Sequence, residues 1–257
     1  MQDLTITLLQ TALAWQNAGE NRAHFTELVG QLEAPTDLII LPEMFTTGFT
    51  MDVREQAETM AGPTVTWMAA LARERNVVLC GSLIVEDGGR YYNRCVWMPP
   101  DGQPRHYDKR HLFRMAGEHE HFAPGQERLV VELKGWRVCP LVCYDLRFPV
   151  WSRGANAFDL LIYIANWPAA RRSAWQALLP ARAVENQCYV AGVNRLGTDG
   201  QGVAYAGDSG VHDYLGEPRV ELQAAPGHPT ATLSLDALRR YREKFPAWRD
   251  ADHFHLL

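Results

Sequence analysis

The run Arg137-Val138-Cys139-Pro140-Leu141-Val142-Cys143-Tyr144-Asp145-Leu146-Arg147-Phe148-Pro149 decides how the chain is read, because a short apolar stretch ends on a thiol and passes at once into polar residues. It reads as a buried strand that breaks into a helical turn. A nucleophile held at such a bend projects into open space. The backbone N–H of the next residue, Tyr144, points at the same space and can stabilise an oxyanion. Cys143 is therefore the candidate nucleophile, with the Tyr144 amide as a candidate oxyanion donor.

On either side of this run lie two stretches of like design. Asp37-Leu38-Ile39-Ile40-Leu41-Pro42-Glu43 and Asp159-Leu160-Leu161-Ile162-Tyr163-Ile164-Ala165-Asn166-Trp167 each start on an acid, continue as an unbroken apolar run and end on a chemically capable group. Both read as strands buried on two faces. Each leads into a helical stretch and a further strand. The first passes through residues 64–75 to Val77-Val78-Leu79-Cys80-Gly81. The second passes through residues 175–186 to Cys188-Tyr189-Val190-Ala191-Gly192-Val193, and its Pro180 is expected to kink or restart the helix. A helix around 21–32 places Phe25, Leu28, Val29 and Leu32 on one face. This is an α/β pattern with an internal near-repeat. Two such halves can lay sheet on sheet with helices outside, a four-layer α-β-β-α sandwich, with the site at the rim where strands end.

Composition narrows the function classes. The 257 residues are 47% hydrophobic with no linker-like segment, so the expectation is a single domain over 1–257. A net charge of −5 with scattered Lys and Arg argues against a nucleic-acid footprint or a basic membrane face, and no apolar run reaches spanning length. The N-terminus enters a strand-like run without a basic leader, so a cytoplasmic location and a small-molecule partner are expected. Five cysteines (Cys80, Cys95, Cys139, Cys143, Cys188) make an odd count set mostly in apolar patterns, which implies no disulfide framework. The histidines His106, His111, His119 and His121 raise a zinc metallohydrolase as a rival, but they lack a His-Glu-x-x-His spacing and an obvious third ligand.

Leu41-Pro42-Glu43, Tyr107-Asp108-Lys109-Arg110-His111-Leu112-Phe113 and Cys143-Tyr144-Asp145-Leu146-Arg147-Phe148-Pro149 resemble, in order, the three signatures of the nitrilase, or carbon-nitrogen hydrolase, superfamily. The form of the nucleophile motif and the stretch Arg182-Ala183-Val184-Glu185-Asn186-Gln187 resemble its omega-amidase branch. The resemblance covers essentially the whole chain and implies the same sandwich fold, with no cofactor and no metal. It assigns Cys143 as nucleophile, Glu43 as proton shuttle and Lys109 as oxyanion partner, the ammonium also favouring the thiolate. In Glu118-His119-Glu120-His121-Phe122-Ala123-Pro124-Gly125 it places a second glutamate, Glu118 by its spacing to Pro124-Gly125, with Glu120 competing.

In that branch Arg147 is implied to hold a substrate carboxylate. Trp167, and opposite it Phe45 on the loop after Glu43, are read as apolar walls. The Arg171-Arg172 pair is read either as help for an acidic substrate or as a solvated loop. The implied substrate is a short ω-monoamide of a dicarboxylate such as 2-oxoglutaramate, 2-oxosuccinamate or succinamate. Aliphatic amidase, N-carbamoyl hydrolase and nitrilase activities use the same triad, and a non-catalytic interaction module is a further rival. Residues 235–246 read as an amphipathic helix stopped by Pro246. With the tail to 257 this segment is expected at a homodimer interface, or else folded onto its own core.

Overall fold

In both halves alternate apolar side chains of a strand face opposite ways, so each strand needs cover on two sides. The computed structural model describes residues 2–252. The first half contributes β1 (Leu4–Leu8), α1 (Ala18–Gly30), β2 (Leu38–Ile40), α2 (Val53–Gln56), α3 (Pro63–Arg75), β3 (Val78–Asp87), β4 (Arg90–Met98), β5 (Arg105–Asp108) and α4 (Glu118–His121). The second contributes β6 (Val131–Leu133), β7 (Trp136–Val142), α5 (Pro149–Ser152), β8 (Leu160–Ala165), α6 (Arg172–Asn186), β9 (Tyr189–Asn194), β10 (Leu196–Thr198), β11 (Ala204–Ala206), β12 (Gly210–His212), β13 (Pro218–Glu221), β14 (Thr230–Leu233) and α7 (Leu235–Lys244).

The strands assemble into sheets ordered β14-β1-β2-β3-β4-β5 and β13-β12-β9-β8-β7-β6, with β10 and β11 as a small ribbon. In the first, β1, β2 and β3 run parallel, and in the second β7, β8 and β9 do the same. Strand β2 shows how the layers form. Leu38 and Ile40 join the core shared with Val138 and Leu141 of the second sheet, while Ile39 and Leu41 meet Phe25 and Val29 of α1 and Met68 of α3. Trp175, Leu179 and Ala183 of α6 join the second sheet from the opposite side. The layers therefore run α-β-β-α, as the near-repeat predicts.

The acid that opens each repeat has the same task. Asp37 Oδ2 accepts the backbone N–H of Thr5 at 2.9 Å, and Asp159 Oδ2 that of Arg137 at 3.0 Å, so each fixes the start of the neighbouring parallel strand. Helix α6 runs through Pro180 without a restart. The Gln176 carbonyl, which loses its donor there, belongs to an exposed residue open to water. The stripe of α7 is spent within the chain, since Leu235 and Leu238 are buried in the shared core and Arg242 bonds Gln187 O, Phe158 O and Asp159 Oδ1, each at 2.7 Å. The end of the expected interface tail, residues 253–257, lies outside the described residues. Among the described residues no helix is long and apolar enough to cross a membrane.

Candidate active site

One rim of the sandwich collects residues that follow strand ends: Glu43 after β2, Lys109 after β5, Cys143 after β7, and Asn166 and Trp167 after β8, with Glu118 opening α4. Cys143 adopts φ +45°, a left-handed conformation that costs a side-chain-bearing residue on the order of 1–3 kcal/mol and persists only where its surroundings over-determine it. Asp145 supplies much of that constraint. Its fully buried carboxylate accepts from Val142 N (3.0 Å), Tyr107 OH (2.7 Å), His111 N (3.1 Å) and His111 Nδ1 (2.8 Å). Arg182, from the stretch that resembles the omega-amidase branch, donates twice to Leu146 O at 3.1 and 2.8 Å and pins the far side of the bend. Asp145 is thus the keystone of the nucleophile turn and does not pair with Arg147.

Beneath the thiol lies a buried ionic cluster. Lys109 Nζ donates to Glu43 Oε1 at 2.9 Å and to both oxygens of Glu118 at 3.0 and 2.9 Å, and all three side chains are wholly buried. Asn93 Nδ2 bridges Glu43 Oε1 (2.8 Å) and Glu118 Oε1 (3.2 Å), Asn166 N donates to Glu43 Oε2 (2.8 Å), and Phe113 N donates to Glu118 Oε2 (2.5 Å). Of the two competing glutamates it is Glu118 that meets Lys109, whereas the Glu120 side chain is 69% exposed beside His119.

Burial opposes the charge on Lys109, but Glu118 and Glu43 more than reverse this and hold the ammonium firmly protonated. Burial pushes the Glu118 carboxyl up against the pull of Lys109, and the Glu43 charge adds to the rise. The Cys143 thiol is raised well above its ordinary range, first by burial and then by Glu43, with only partial relief from Lys109. The lysine charge favours the thiolate but is shared between two carboxylates, so it offsets only part of the rise caused by burial and Glu43.

Above the cluster opens a cavity whose wall includes Lys109, Cys143, Tyr144, Arg147, Trp167 and Phe49. The Arg147 guanidinium lies 4.9 Å from the Trp167 ring centre, and Arg171, also in the wall, lies 5.1 Å from that of Phe113. Neither arginine has a carboxylate partner among the described residues. Asp199, an acid in the same wall, is already engaged by Gln201 N, Val203 N and Tyr205 OH at 2.8–2.9 Å. Arg172 turns away to pair with Asp208.

Phe45 is a correction. It is fully buried, its ring edge-on to Phe25 at 5.5 Å in the core under α1 and α3, because its backbone N–H bonds Ser82 O (3.1 Å) and turns the side chain to the outer face of the sheet. Phe49, with Lys109 Nζ 5.2 Å from its ring centre, takes the place on the wall that Phe45 was expected to fill. The histidines scatter: His106 is exposed on β5 and His111 stacks on Phe148 at 3.8 Å. Among the described residues no three His, Cys, Asp or Glu side chains gather as a metal-holding group. Sequence reasoning missed Asn93, Asn166 and Phe49. Only Asn166 left a signal, as a polar residue closing an apolar strand beside Trp167.

The family model described as "Carbon-nitrogen hydrolase" matches residues 5–243. The chain is 51% identical over 263 residues to the omega-amidase YafV of Escherichia coli (strain K12), covering 100% of both chains. It is 32% identical to a 2-oxoglutaramate amidase of Bacillus subtilis (strain 168), with 96% of each covered. The crystal structure of a CN-hydrolase superfamily protein from Xanthomonas campestris, with an arsenic adduct in its active site, superposes over 100% of both chains with a TM-score of 0.97 at 46% identity.

Proposed function

The chain belongs to the carbon-nitrogen hydrolase family, and from that premise we propose that it is an ω-amidase, releasing ammonia from short monoamides of dicarboxylic acids such as 2-oxoglutaramate or succinamate. One observation carries the reading. The cluster of Cys143, Glu43 and Lys109 opens onto a cavity with two guanidiniums that no carboxylate of the described chain neutralises.

The steps follow from the geometry. A thiol that is protonated at rest must lose its proton as it attacks, and Glu43, whose charge acts directly on that thiol, takes it. Sulfur bonds to the amide carbon, and the oxygen that becomes negative is met by Lys109 Nζ and the Tyr144 N–H. Glu43 returns the proton to nitrogen, the C–N bond breaks and ammonia leaves. Water, deprotonated by Glu43, then attacks the thioester, and the proton goes back to sulfur as the acid departs. Glu118 holds Lys109 in position. Arg147 grips the distal carboxylate in a two-pronged contact, Arg171 adds a second positive group at the mouth, and Trp167 borders the carbon chain. Exposed apolar side chains at Val184, Leu215 and Phe245 support a homodimer built in part on the surface next to α7.

The test is ammonia release from 2-oxoglutaramate, succinamate, a neutral aliphatic amide, an N-carbamoyl compound and a nitrile, with Cys143→Ala as control. The acidic amides are expected to be preferred and the control to be inactive. Turnover by Cys143→Ala would exclude the mechanism, and preference for a neutral substrate would exclude the substrate class.

A further inference from the structure

The side chain of Asn166 can face only one way. Its amide atom 2.6 Å from Glu43 O must be the nitrogen, because a backbone carbonyl only accepts hydrogen bonds. The other amide atom is therefore an acceptor, and this Oδ1 is buried without a partner on a residue that is 4% exposed and forms part of the cavity wall. Buried polar atoms are nearly always satisfied, so an orphan acceptor on a residue of the cavity wall calls for a donor that the chain itself does not supply. The main-chain N–H of the same residue sits 2.8 Å from Glu43 Oε2. The orphan thus belongs to the neighbourhood of the carboxylate that must hand a proton to the departing nitrogen.

We infer that Asn166 Oδ1 accepts an N–H of the scissile amide and follows that nitrogen until it leaves as ammonia, which makes Asn166 the residue that selects an amide over an acyl compound lacking N–H. This rests on the amidase reading above. A planar amide offers two N–H donors, and proton delivery from Glu43 converts the nitrogen into a better donor with developing positive charge. The contact therefore strengthens along the reaction coordinate and acts mainly on acylation. Atoms balance as before: the S–C bond forms, the C–N bond breaks, and the thiol proton leaves on ammonia.

The experiment compares kcat/KM for succinamate and monomethyl succinate, which share an acyl group and a thioester but differ in N–H, in the wild type, Asn166→Ala and Asn166→Ser. The serine hydroxyl can still donate toward Glu43 O, so one variant remains should the other fail to fold. The amide rate is expected to fall about 10- to 100-fold relative to the ester, the value of one hydrogen bond to a charged donor. Equal losses on both substrates would mean that Asn166 merely props Glu43, and no loss on the amide would mean that Oδ1 touches nothing; either overturns the inference. Should the wild type refuse succinamate, the substrate class fails separately, and the same comparison is run on the amide it accepts and the matching methyl ester.

Discussion

Replacing Glu43 by Gln separates the base from the charge it carries. The carboxylate accepts from Lys109 Nζ and Asn93 Nδ2 on Oε1 and from Asn166 N on Oε2. A glutamine can keep its oxygen toward Lys109 and Asn93, leaving its NH₂ against one N–H, that of Asn166. One buried hydrogen bond is lost, about 1–3 kcal/mol, so the variant is expected to fold with a modestly lower Tm. Activity loses far more, because a positioned general base contributes on the order of 10²–10⁴-fold, or about 3–5 kcal/mol of barrier. The thiol moves in the informative direction. Glu43 raises Cys143 and Lys109 lowers it, so removing the glutamate charge frees the lysine field and the thiolate appears at lower pH. Absorbance at 240 nm, titrated against a Cys143→Ala blank, reads this directly, and burial pushes Cys139 up to about 12, out of the way. Glu43→Gln is expected to show thiolate at a pH where the wild type shows none, while hydrolysing amides at least a hundredfold more slowly. An unchanged or upward-shifted titration, or a wild-type thiolate already present at neutral pH, would refute the account of the cluster.

Arg147→Ala is expected to cut kcat/KM for acidic amides about 100-fold, and Arg171→Ala about tenfold, with a neutral amide changed less than threefold by either; initial rates across the substrate panel check this, and parallel losses on neutral amides would end the case for a carboxylate clamp. Asp145→Asn keeps its oxygen toward Val142 N and Tyr107 OH and turns its NH₂ to His111, whose Nδ1 can accept while the His111 N–H is left facing that NH₂, so a cost of about 2 kcal/mol and a Tm lower by roughly 4–8 °C are expected in thermal unfolding. In the same variant kcat should fall more than KM rises, since the defect lies in the placement of Cys143.

The sandwich was legible because its evidence is periodic. Continuous apolar runs opening on Asp37 and Asp159 and ending on Glu43 and Trp167 specify buried parallel strands whichever helices cover them. Cys143, Glu43 and Lys109 were legible as neighbours because each follows a strand that ends at one rim. What escaped was decided by contacts distant in sequence. Asn93 lies within β4 and touches Glu43 fifty positions away, and nothing in its local pattern marks it. Phe45 and Phe49 share one loop and one residue type, and only the local turn decides which reaches the cavity. The electrostatic balance at Cys143 escaped for a similar reason. Counting Lys109 as a neighbour gives a pull toward the thiolate, but its strength depends on Glu118 sharing the same ammonium, and that sharing exists only in the folded site.

Sulfur and its proton acceptor stand on different sheets. Cys143 follows β7 in one and Glu43 follows β2 in the other, and the bonds from Asn166 to Glu43 and from Tyr107 and His111 to Asp145 tie the two rims together. The bond-making distance is therefore an intersheet spacing, set by side chains such as Cys80, Cys95 and Trp97 that no substrate ever meets. Slight swelling of that seam would leave the molecule folded and its pocket filled while lengthening the path of a single proton, so turnover should register damage to this interior before any melting curve does.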